Sequence, residues 1–278
     1  YNSDQLMKNK QTTNELHLSV VLAIFNEEQN LERCLSSAHS ITDELVIVDG
    51  GSTDNSVKIA HKFDAVIIRT TNKLNFHINK QMAIDRAQGQ LILQLDADEV
   101  LDSELIQYIA KLKLNLNLTS ADTKDQPVAW YLKRKNLFLG RFLRKGGQYP
   151  DPVIRLFLKG RAYLPQKNVH EQMQVDGKLG EADGHLLHYS NPDLASYLRK
   201  ARTYTEFAAH DLKKNHYQLN LASFFQYFLV KPVVTFTSIF IRHKGFYDGW
   251  QGFLFALFSA AHHPVTLVKF LRLKTSDD

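Results

Sequence analysis

Two aspartates, Asp96 and Asp98, are separated by one residue and directly follow an apolar run, residues 91–95 (LILQL). Carboxylates at this spacing can share one divalent cation, and hard oxygen ligands select Mg²⁺ or Mn²⁺. A cation held in this way can bridge phosphate oxygens and stabilise the charge that develops on a diphosphate leaving group. An Asp-x-Asp pair also occurs in surface turns, but its position at the end of a buried strand favours the first interpretation.

Polar side chains also follow two earlier apolar runs. Asn26 and Glu27 come at the end of residues 18–25, and Asp49 ends residues 44–49 before a Gly-Gly-Ser-Thr-Asp turn. Each has an ordinary structural role as a helix cap or a turn former. Polar groups at three strand ends on one rim are nevertheless more typical of a shared site, because parallel sheets bind ligands at the carboxyl ends of their strands.

The elements that must position these residues alternate between strand and helix patterns. Continuous apolar runs predict strands covered on both faces, and apolar residues at helical spacing predict the helices between them. This alternation is typical of βαβ units, so we predict an α/β fold with a parallel or mixed central sheet flanked by helices. The predicted strands are residues 18–25, 44–49, 65–69 and 91–96; helices are predicted to open at Asn26 and near Asp54 and to cover residues 76–87 and 103–114.

Several segments together resemble a known family. Residues 18–60, followed by the LILQLDADEV segment at 91–100, resemble family 2 glycosyltransferases of the GT-A fold. The segments YPDPVIRLFLKG (149–160), VHE (169–171), LLHYS (186–190) and KGFYDGWQGFLFALFSA (244–260) narrow the resemblance to bacterial lipopolysaccharide-core β-1,4-glucosyltransferases. The resemblance extends over residues 18–273, and it implies a Rossmann-like GT-A sheet.

The resemblance assigns roles to individual positions. It implies a nucleoside pocket formed by Phe25, Asn26, Glu27 and Asp49. It implies a metal site formed by Asp96 and Asp98, with His188 reaching the metal or the diphosphate. It implies a glycine-rich loop near the donor sugar at Gly146 and Gly147, and a catalytic base at Glu171.

The chemistry of sugar transfer with inversion requires some of the same groups. A base must take the proton of the acceptor hydroxyl, and a carboxylate is the expected base in a cleft that excludes water. Glu171 is the first candidate and Asp151, in the Tyr-Pro-Asp-Pro turn, the second. Arg155 is a candidate to bind the donor phosphates, since a guanidinium can hold two phosphate oxygens at once.

The last part of the chain combines basic, aromatic and apolar residues. The segment from Lys213 to Lys274 contains several basic residues and one acidic residue, Asp248. The whole chain has a net charge of +5. This mixture suits an anionic membrane surface better than nucleic acid. Lys231-Pro232 divides the first apolar stretches, and we predict amphipathic helices lying in a membrane interface. We predict a tail at residues 1–14, a GT-A catalytic domain at 15–190 and a helical extension at 191–278, which could also form a homodimer interface.

These observations predict an inverting, metal-dependent glycosyltransferase. Its donor is expected to be a UDP-hexose, with UDP-glucose first, and its acceptor a lipid-borne saccharide such as the lipopolysaccharide inner core. It is expected to work in the cytoplasm, on the cytoplasmic face of the inner membrane, and without a nucleic-acid partner. Two other classes remain open: a nucleotidyltransferase acting on sugar phosphates, and an inactive protein that binds sugar nucleotides and membranes.

Overall fold

The computed structural model describes residues 16–73, 75–116, 126–165 and 172–275, and the chain forms two units. The first unit takes in the described residues up to Lys133 and then Pro152–Leu186; the second takes in Arg134–Asp151 and the chain from Leu187 onward. The second unit therefore includes residues 134–151 in addition to the C-terminal part. The tail expected at residues 1–14 lies outside the described residues.

Four parallel strands form one half of the central sheet in the order β3-β2-β1-β4. Their apolar side chains are almost completely buried in β1, β2 and β4, as expected for strands covered on both faces. The parallel α/β half predicted from the sequence is therefore confirmed. The strands are β1 (Leu18–Ile24), β2 (Glu44–Asp49), β3 (Val66–Arg69) and β4 (Leu91–Leu95).

The other half makes the sheet mixed. It continues from β4 in the order β8-β6-β11-β5, and β8 is antiparallel to β4. The long strands β6 and β11 run on past the end of the first unit into the second. The bounds are β5 (Glu99–Leu101), β6 (Pro127–Phe138), β7 (Arg141–Phe142), β8 (Asp151–Leu158) and β11 (Lys178–Asn191), with a separate hairpin of β9 (Ala162–Tyr163) and β10 (Gln174–Val175).

The helices of the first unit follow the strands, with one difference from the sequence prediction. The helix expected to open at Asn26 begins at Leu31. Asn26 instead has a left-handed backbone, with φ of 56°, and its Oδ1 accepts a hydrogen bond from Thr53 N at 2.8 Å. Asparagine tolerates this conformation because its short polar side chain can bond locally. The helices are α1 (Leu31–Ala38), α2 (Ser56–His61), α3 (Phe76–Arg86) and α4 (Ser103–Asn115).

The second unit is mainly helical. Its first long helix is capped by Asp193, whose Oδ1 accepts from Ser196 N at 2.7 Å. The break expected at Lys231-Pro232 does not occur: the helix is continuous from Leu221 to Arg242, and a π-helical segment, Gln226–Val230, directly precedes Lys231. The helices are α5 (Leu194–Lys214), α6 (Leu221–Phe225), α7 (Lys231–Thr237) and α8 (Gly249–Thr275).

Two helical stretches of the second unit are strongly apolar although most of their residues are not buried. Within Leu221–Arg242, which runs through α6 and α7, an 18-residue segment has a mean hydropathy of 1.5, and 6% of it is buried. An 18-residue segment of Gly245–Lys274 has a mean hydropathy of 1.3, and 28% of it is buried. Both stretches are long and apolar enough to cross a membrane when judged by length and composition alone.

Candidate active site

The carboxyl ends of β1, β2 and β4 bring the predicted polar residues to one edge of the sheet. In the register, Ile24 of β1 lies beside Asp49 of β2, and Leu22 lies beside Leu95 of β4. Asp96 follows Leu95 directly, so Asp49 and Asp96 extend from strands on either side of β1. Neighbouring strands are about 4.8 Å apart, which separates these two strands by roughly 10 Å. The distance between the carboxyl ends of β2 and β4 would therefore suit an extended ligand with one polar group near each of these two strands.

On one side of this edge, the loop after β2 surrounds the carboxylate of Asp49. Asp49 is 2% exposed, and its Oδ1 accepts from Ser52 N at 3.0 Å. The backbone of Asn26 donates to Ser52 Oγ at 2.9 Å, which ties the ends of β1 and β2 together. Phe25, which directly follows β1, is 41% exposed. The result is a buried acceptor and an open aromatic ring at the same strand ends.

On the other side, Asp96 is held by two cationic side chains. Lys80 of α3 forms an ion pair with Asp96 Oδ1, and Arg155 of β8 donates from Nη2 to Asp96 Oδ2. The same Nη2 donates to Glu99 Oε1 at 2.9 Å, and Arg155 Nη1 donates to Gln94 Oε1. Glu99 is fully buried, and its Oε2 accepts from the backbone N of Asp96 at 2.9 Å. The turn after β4 is thus fixed by a buried network of charges.

The ion pairs of Arg155 with Asp96 and Glu99 determine the protonation state of its guanidinium. Burial by itself would lower the pKa of Arg155, but the carboxylates of Asp96 and Glu99 outweigh burial and raise it above its ordinary value. Arg155 therefore stays charged. Cys34 lies on the other side of the turn, where its Sγ is 3.5 Å from Asp96 O, and burial, followed by the nearby carboxylates, raises the pKa of its thiol. This thiol is neutral at physiological pH.

A second acidic group in the first unit also has ligand atoms close together. Oxygen and nitrogen atoms of Asp102, Glu104 and His185 lie within 4.8 Å of one another. Asp102 caps α4 by accepting from Leu105 N at 2.9 Å, and its Oδ2 is 2.9 Å from His185 Nδ1. The N-terminus of a helix carries partial positive charge, which disfavours a cation there. This group is better explained as a link between α4 and β11.

In the second unit, Asp151 lies at the centre of a polar cluster. Its Oδ2 accepts from Arg134 Nη2 at 2.7 Å, from Arg134 Nε at 2.9 Å and from Asn136 Nδ2 at 2.9 Å. Asn136 Oδ1 is 2.6 Å from His188 Nδ1. Burial raises the pKa of Asp151, but the Asn136 bond and the Arg134 charge overcome burial and lower it. Asp151 is therefore an ionised and weakly basic carboxylate.

The predicted glycine-rich loop, also in the second unit, depends on its glycines. Gly146 and Gly147 have φ of 65° and 74°, in the left-handed region that glycine adopts without strain. The loop is anchored by Asp248, which is 1% exposed and accepts from the backbone N of Arg144 at 3.0 Å and of Lys145 at 2.8 Å. Asp248 was not among the candidates, although it is the one acid in the basic C-terminal region.

The predicted residues divide between the two units. The first unit contains Phe25, Asn26, Glu27, Asp49, Asp96, Asp98 and Arg155; the second contains Gly146, Gly147, Asp151 and His188. Within the first unit, Asp96 and Arg155 are in direct contact. Glu171 lies outside the described residues, and its role stays a prediction. Sequence reasoning missed the partners of these residues, which are Lys80, Gln94, Glu99, Arg134 and Asn136.

Comparison with known proteins agrees with this geometry. The family model described as glycosyl transferase family 2 matches residues 19–158. The lipopolysaccharide core biosynthesis glycosyltransferase LpsC of Rhizobium meliloti is 27% identical over 267 residues, which cover 92% of each chain. An uncharacterized glycosyltransferase of Rickettsia typhi is 27% identical over 269 residues, 92% of this chain and 85% of its own.

A solved structure supports the fold assignment. The mannosyltransferase PcManGT from Pyrobaculum calidifontis, in complex with GDP-Man and Mn²⁺, has a TM-score of 0.52 to this chain at 13% identity. The match covers 93% of this chain and 88% of that chain. At such low identity the likeness concerns the fold alone, and it confirms the GT-A arrangement of a mixed sheet with flanking helices.

Proposed function

Since the chain belongs to glycosyl transferase family 2, we propose that it transfers a hexose, with inversion, from a UDP-sugar to a lipid-borne saccharide. UDP-glucose is the first candidate donor, and the lipopolysaccharide inner core is the first candidate acceptor. The observation that carries the donor proposal is the sheet edge that joins Asp49 to Asp96. Similarity to LpsC over most of both chains supports the acceptor class.

The two ends of this edge suit the two ends of a sugar nucleotide. The buried carboxylate of Asp49 can accept hydrogen bonds from a ribose or a base, and the Phe25 ring can stack on uracil. Asn26 and Glu27 shape the same loop, where Glu27 N donates to Ser56 Oγ at 2.7 Å. The Asp96 end holds cationic side chains, which suit a diphosphate. The donor would therefore lie across β1, with its base at β2 and its diphosphate at β4.

The Asp96 end also fits a divalent cation. Asp96 and Asp98 offer hard carboxylate oxygens, and a metal bound to Asp96 would take the place of its ion pair with Lys80. These two aspartates would hold Mg²⁺ or Mn²⁺; a metal-binding role for His188, which belongs to the second unit, stays a prediction. When bound, the metal would neutralise charge on the diphosphate leaving group. Arg155 would keep the Asp96 carboxylate oriented, because Gln94 and Glu99 fix its guanidinium.

Of the two cationic partners of Asp96, Lys80 is the one that we expect a bound metal to displace. Its side chain is a flexible, single-point cation, whereas Arg155 is fixed by two further partners. We expect Lys80→Met to lower the dissociation constant for Mn²⁺ about 3- to 10-fold in the absence of nucleotide, because a competing cation leaves the site. Titration of free Mn²⁺ by electron paramagnetic resonance measures this constant. Lys58→Met, an exposed lysine on α2, is the matched control; unchanged or weaker Mn²⁺ binding in Lys80→Met would contradict the expectation.

Glu171 is the proposed base, and Asp151 is better suited to positioning. The hydrogen bonds from Arg134 and Asn136 lower the pKa of Asp151, and such a carboxylate accepts a proton poorly. We expect Glu171→Gln to lower kcat by about 10²- to 10⁴-fold. Asp151→Asn should mainly raise KM for the acceptor. Steady-state kinetics with varied acceptor distinguish the two; a kcat loss in Asp151→Asn equal to that of Glu171→Gln, at unchanged KM, would reverse the assignment.

The second unit carries the surface proposed to bind a membrane. Leu221, Phe225, Leu229 and Val233 recur every four residues along one helix, and they are 90%, 59%, 50% and 52% exposed. Apolar side chains so exposed are typical of helices that lie in a membrane interface. The basic residues of the same region would attract anionic lipids. We therefore propose a location on the cytoplasmic face of the inner membrane, near a lipid-borne acceptor.

A double charge substitution tests this surface. We expect Leu229→Glu combined with Val233→Glu to reduce binding to phosphatidylglycerol vesicles at least ~10-fold, because it removes buried apolar area and introduces charges that membranes exclude. Cosedimentation with vesicles measures the bound fraction. Leu114→Glu, an equally exposed leucine on α4 in the first unit, should bind like the unaltered protein. Unchanged vesicle binding in the double variant would contradict the assignment of this surface to membrane binding.

Product analysis distinguishes sugar transfer from the two other classes. A nucleotidyltransferase would release pyrophosphate, whereas sugar transfer releases UDP. The segment Phe25-Asn26-Glu27-Glu28 stands where a nucleotidyltransferase usually has a glycine-rich basic loop. An inactive binding protein would take up the sugar nucleotide and release neither product. We expect UDP together with a lengthened saccharide, detected by chromatography and mass spectrometry; pyrophosphate release would overturn the proposal.

A further inference from the structure

A cavity of about 480 Å³ lies entirely within the second unit; apolar and polar side chains both line it, and we call it the polar cavity after the polar ones. The C-terminal parts of β6 and β11 form one side, and faces of α5 and α8 form the other. Its wall includes the planar polar groups of Asn136, Asp151 and His188, and the half-exposed ring of Tyr204. Few, well-placed polar groups beside an aromatic ring are the features that orient a sugar, which has hydroxyls on its rim and a less polar ring face.

One polar atom in the wall of this cavity lacks a partner. The Oδ1 atom of Asn191 is buried and accepts no hydrogen bond from any described residue, while its Nδ2 donates to Ser190 Oγ at 3.3 Å. A buried acceptor in this state costs about 1–3 kcal/mol. The atom is closed to solvent, so the Asn191 side chain would have to turn toward the cavity for a ligand hydroxyl to satisfy it. A saccharide in the cavity would favour that turn.

A second, apolar groove of about 270 Å³ adjoins the polar cavity. It runs between α5 and α8, and its walls include Leu198, Phe258 and Val265. Three residues, Tyr197, Ala201 and His262, line both the groove and the cavity. Burial and the charge of Lys269 lower the pKa of His262, so it is neutral at physiological pH. A polar compartment and an apolar compartment thus share one wall.

Charge around the two compartments favours an anionic ligand. Lys200 contributes to the polar cavity, and Arg202 and Lys269 contribute to the groove. The acid nearest to these two is Glu206, whose Oε1 accepts from Arg202 Nε at 3.1 Å and from Lys269 Nζ at 3.2 Å. Asp151 is already paired with Arg134. Lys200 Nζ donates to Ser190 O at 2.8 Å. The basic residues in the two walls, Arg134, Lys200, Arg202 and Lys269, outnumber the acids beside them, Asp151 and Glu206, and this excess of positive charge would complement phosphate or carboxylate groups on a saccharide.

We propose that the two compartments form one site for an amphiphile, an anionic saccharide linked to a lipid. The sugar would occupy the polar cavity, and the first carbons of the lipid would occupy the groove between α5 and α8. The inference rests on the proposed function only in identifying this ligand as the acceptor. Binding at the site requires no turnover, so it can be tested independently of catalysis.

Thiol protection provides the test. The native cysteine, Cys34, is buried and its thiol pKa is raised, so it reacts slowly. Ser259→Cys introduces a thiol in the wall of the polar cavity. Its rate of modification by a disulfide reagent is measured with dodecyl β-D-maltoside, below its micelle concentration, and with maltose. We expect the amphiphile to slow modification at a concentration at least ~10-fold lower than maltose does.

Two further variants make the result specific. Ala195→Cys places a thiol on an exposed part of α5 that lines neither compartment, and neither probe should protect it. Ala261→Trp, added to Ser259→Cys, fills the groove at an exposed position and should abolish the ~10-fold advantage of the amphiphile while leaving protection by maltose. Equal protection of both introduced thiols, protection of neither, or an advantage that survives Ala261→Trp would overturn the proposal. None of these outcomes depends on UDP release, so a failure of this site is distinguishable from a failure of the proposed reaction.

Discussion

Asp98→Ala is expected to lower kcat for sugar transfer by at least ~10²-fold and to leave the protein folded. The substitution removes one of the two carboxylates proposed to hold the metal, and with it charge stabilisation of the leaving diphosphate. Asp98 is half-buried at the end of β4, so its loss should change the free energy of unfolding by no more than ~1 kcal/mol. Steady-state rates of UDP release, together with a urea unfolding curve, measure the two effects separately.

The matched control is an aspartate of the first unit that is far more exposed. The side chain of Asp176 is 89% exposed and lies 3.6 Å from Arg161. Asp176→Ala should leave both kcat and Mn²⁺ affinity unchanged. Mn²⁺ affinity in Asp98→Ala should fall, which links the loss of activity to the metal. Normal activity in Asp98→Ala would remove the metal assignment altogether.

Arg155→Met is expected to destabilise the first unit by about 3–5 kcal/mol. The substitution removes the ion pair between Arg155 and the fully buried Glu99, and breaking a buried ion pair from one side has this cost. Asp96 would retain Lys80, so Glu99 accounts for most of the expected effect. Urea unfolding, followed by the fluorescence of the buried Trp130 in the same unit, measures the change.

Two further variants test whether the loss of stability in Arg155→Met comes from the buried charge of Glu99 and not from the loss of an arginine in general. Arg161→Met removes the partner of Asp176 in an exposed pair, and it should cost no more than about 1 kcal/mol. Adding Glu99→Gln to Arg155→Met removes the buried charge and should restore part of the lost stability. A cost below 1 kcal/mol for Arg155→Met would show that the network around Asp96 does not stabilise the fold.

The parallel half of the sheet was predictable because its strands are apolar on both faces. Leu18–Ile24 and Leu91–Leu95 carry this signal in consecutive residues, with no need for tertiary information. The same strand predictions also indicated that Asp49 and Asp96 lie at the same end of the sheet, since the carboxyl ends of parallel strands lie side by side. The helix start after β1 was predicted wrongly, because Asn26 bonds to a loop 27 residues further along the chain.

The partners of the site residues were harder to predict, because they come from distant parts of the chain. Arg155 reaches Asp96 across 59 positions, and only the antiparallel pairing of β8 with β4 brings them together. Lys80 did carry a local signal, since it lies on the same face of α3 as the buried Ala83 and Ile84. A lysine on a buried helix face requires a counterion, and the nearest acidic motif in the sequence is Asp96-Ala97-Asp98-Glu99.

The grouping of residues 134–151 with the C-terminal helices had no sequence signal of its own. This segment is short, and its polar residues resemble those of any surface loop. Its place in the second unit depends on contacts such as those of Asp248 with the backbone of Arg144 and Lys145. The polar cavity, which is bounded by this segment and by α5 and α8, could not be inferred from sequence for the same reason.

The most direct test of the account is UDP release from a panel of UDP-sugars, with Mn²⁺ or Mg²⁺ and with EDTA, and with deacylated lipopolysaccharide core as acceptor. We expect release from one UDP-hexose that requires both the metal and the acceptor and that EDTA abolishes. That result would establish the reaction and identify the donor sugar. Release that persists in EDTA, or no release with any sugar when the sugar nucleotide is shown to bind, would contradict it.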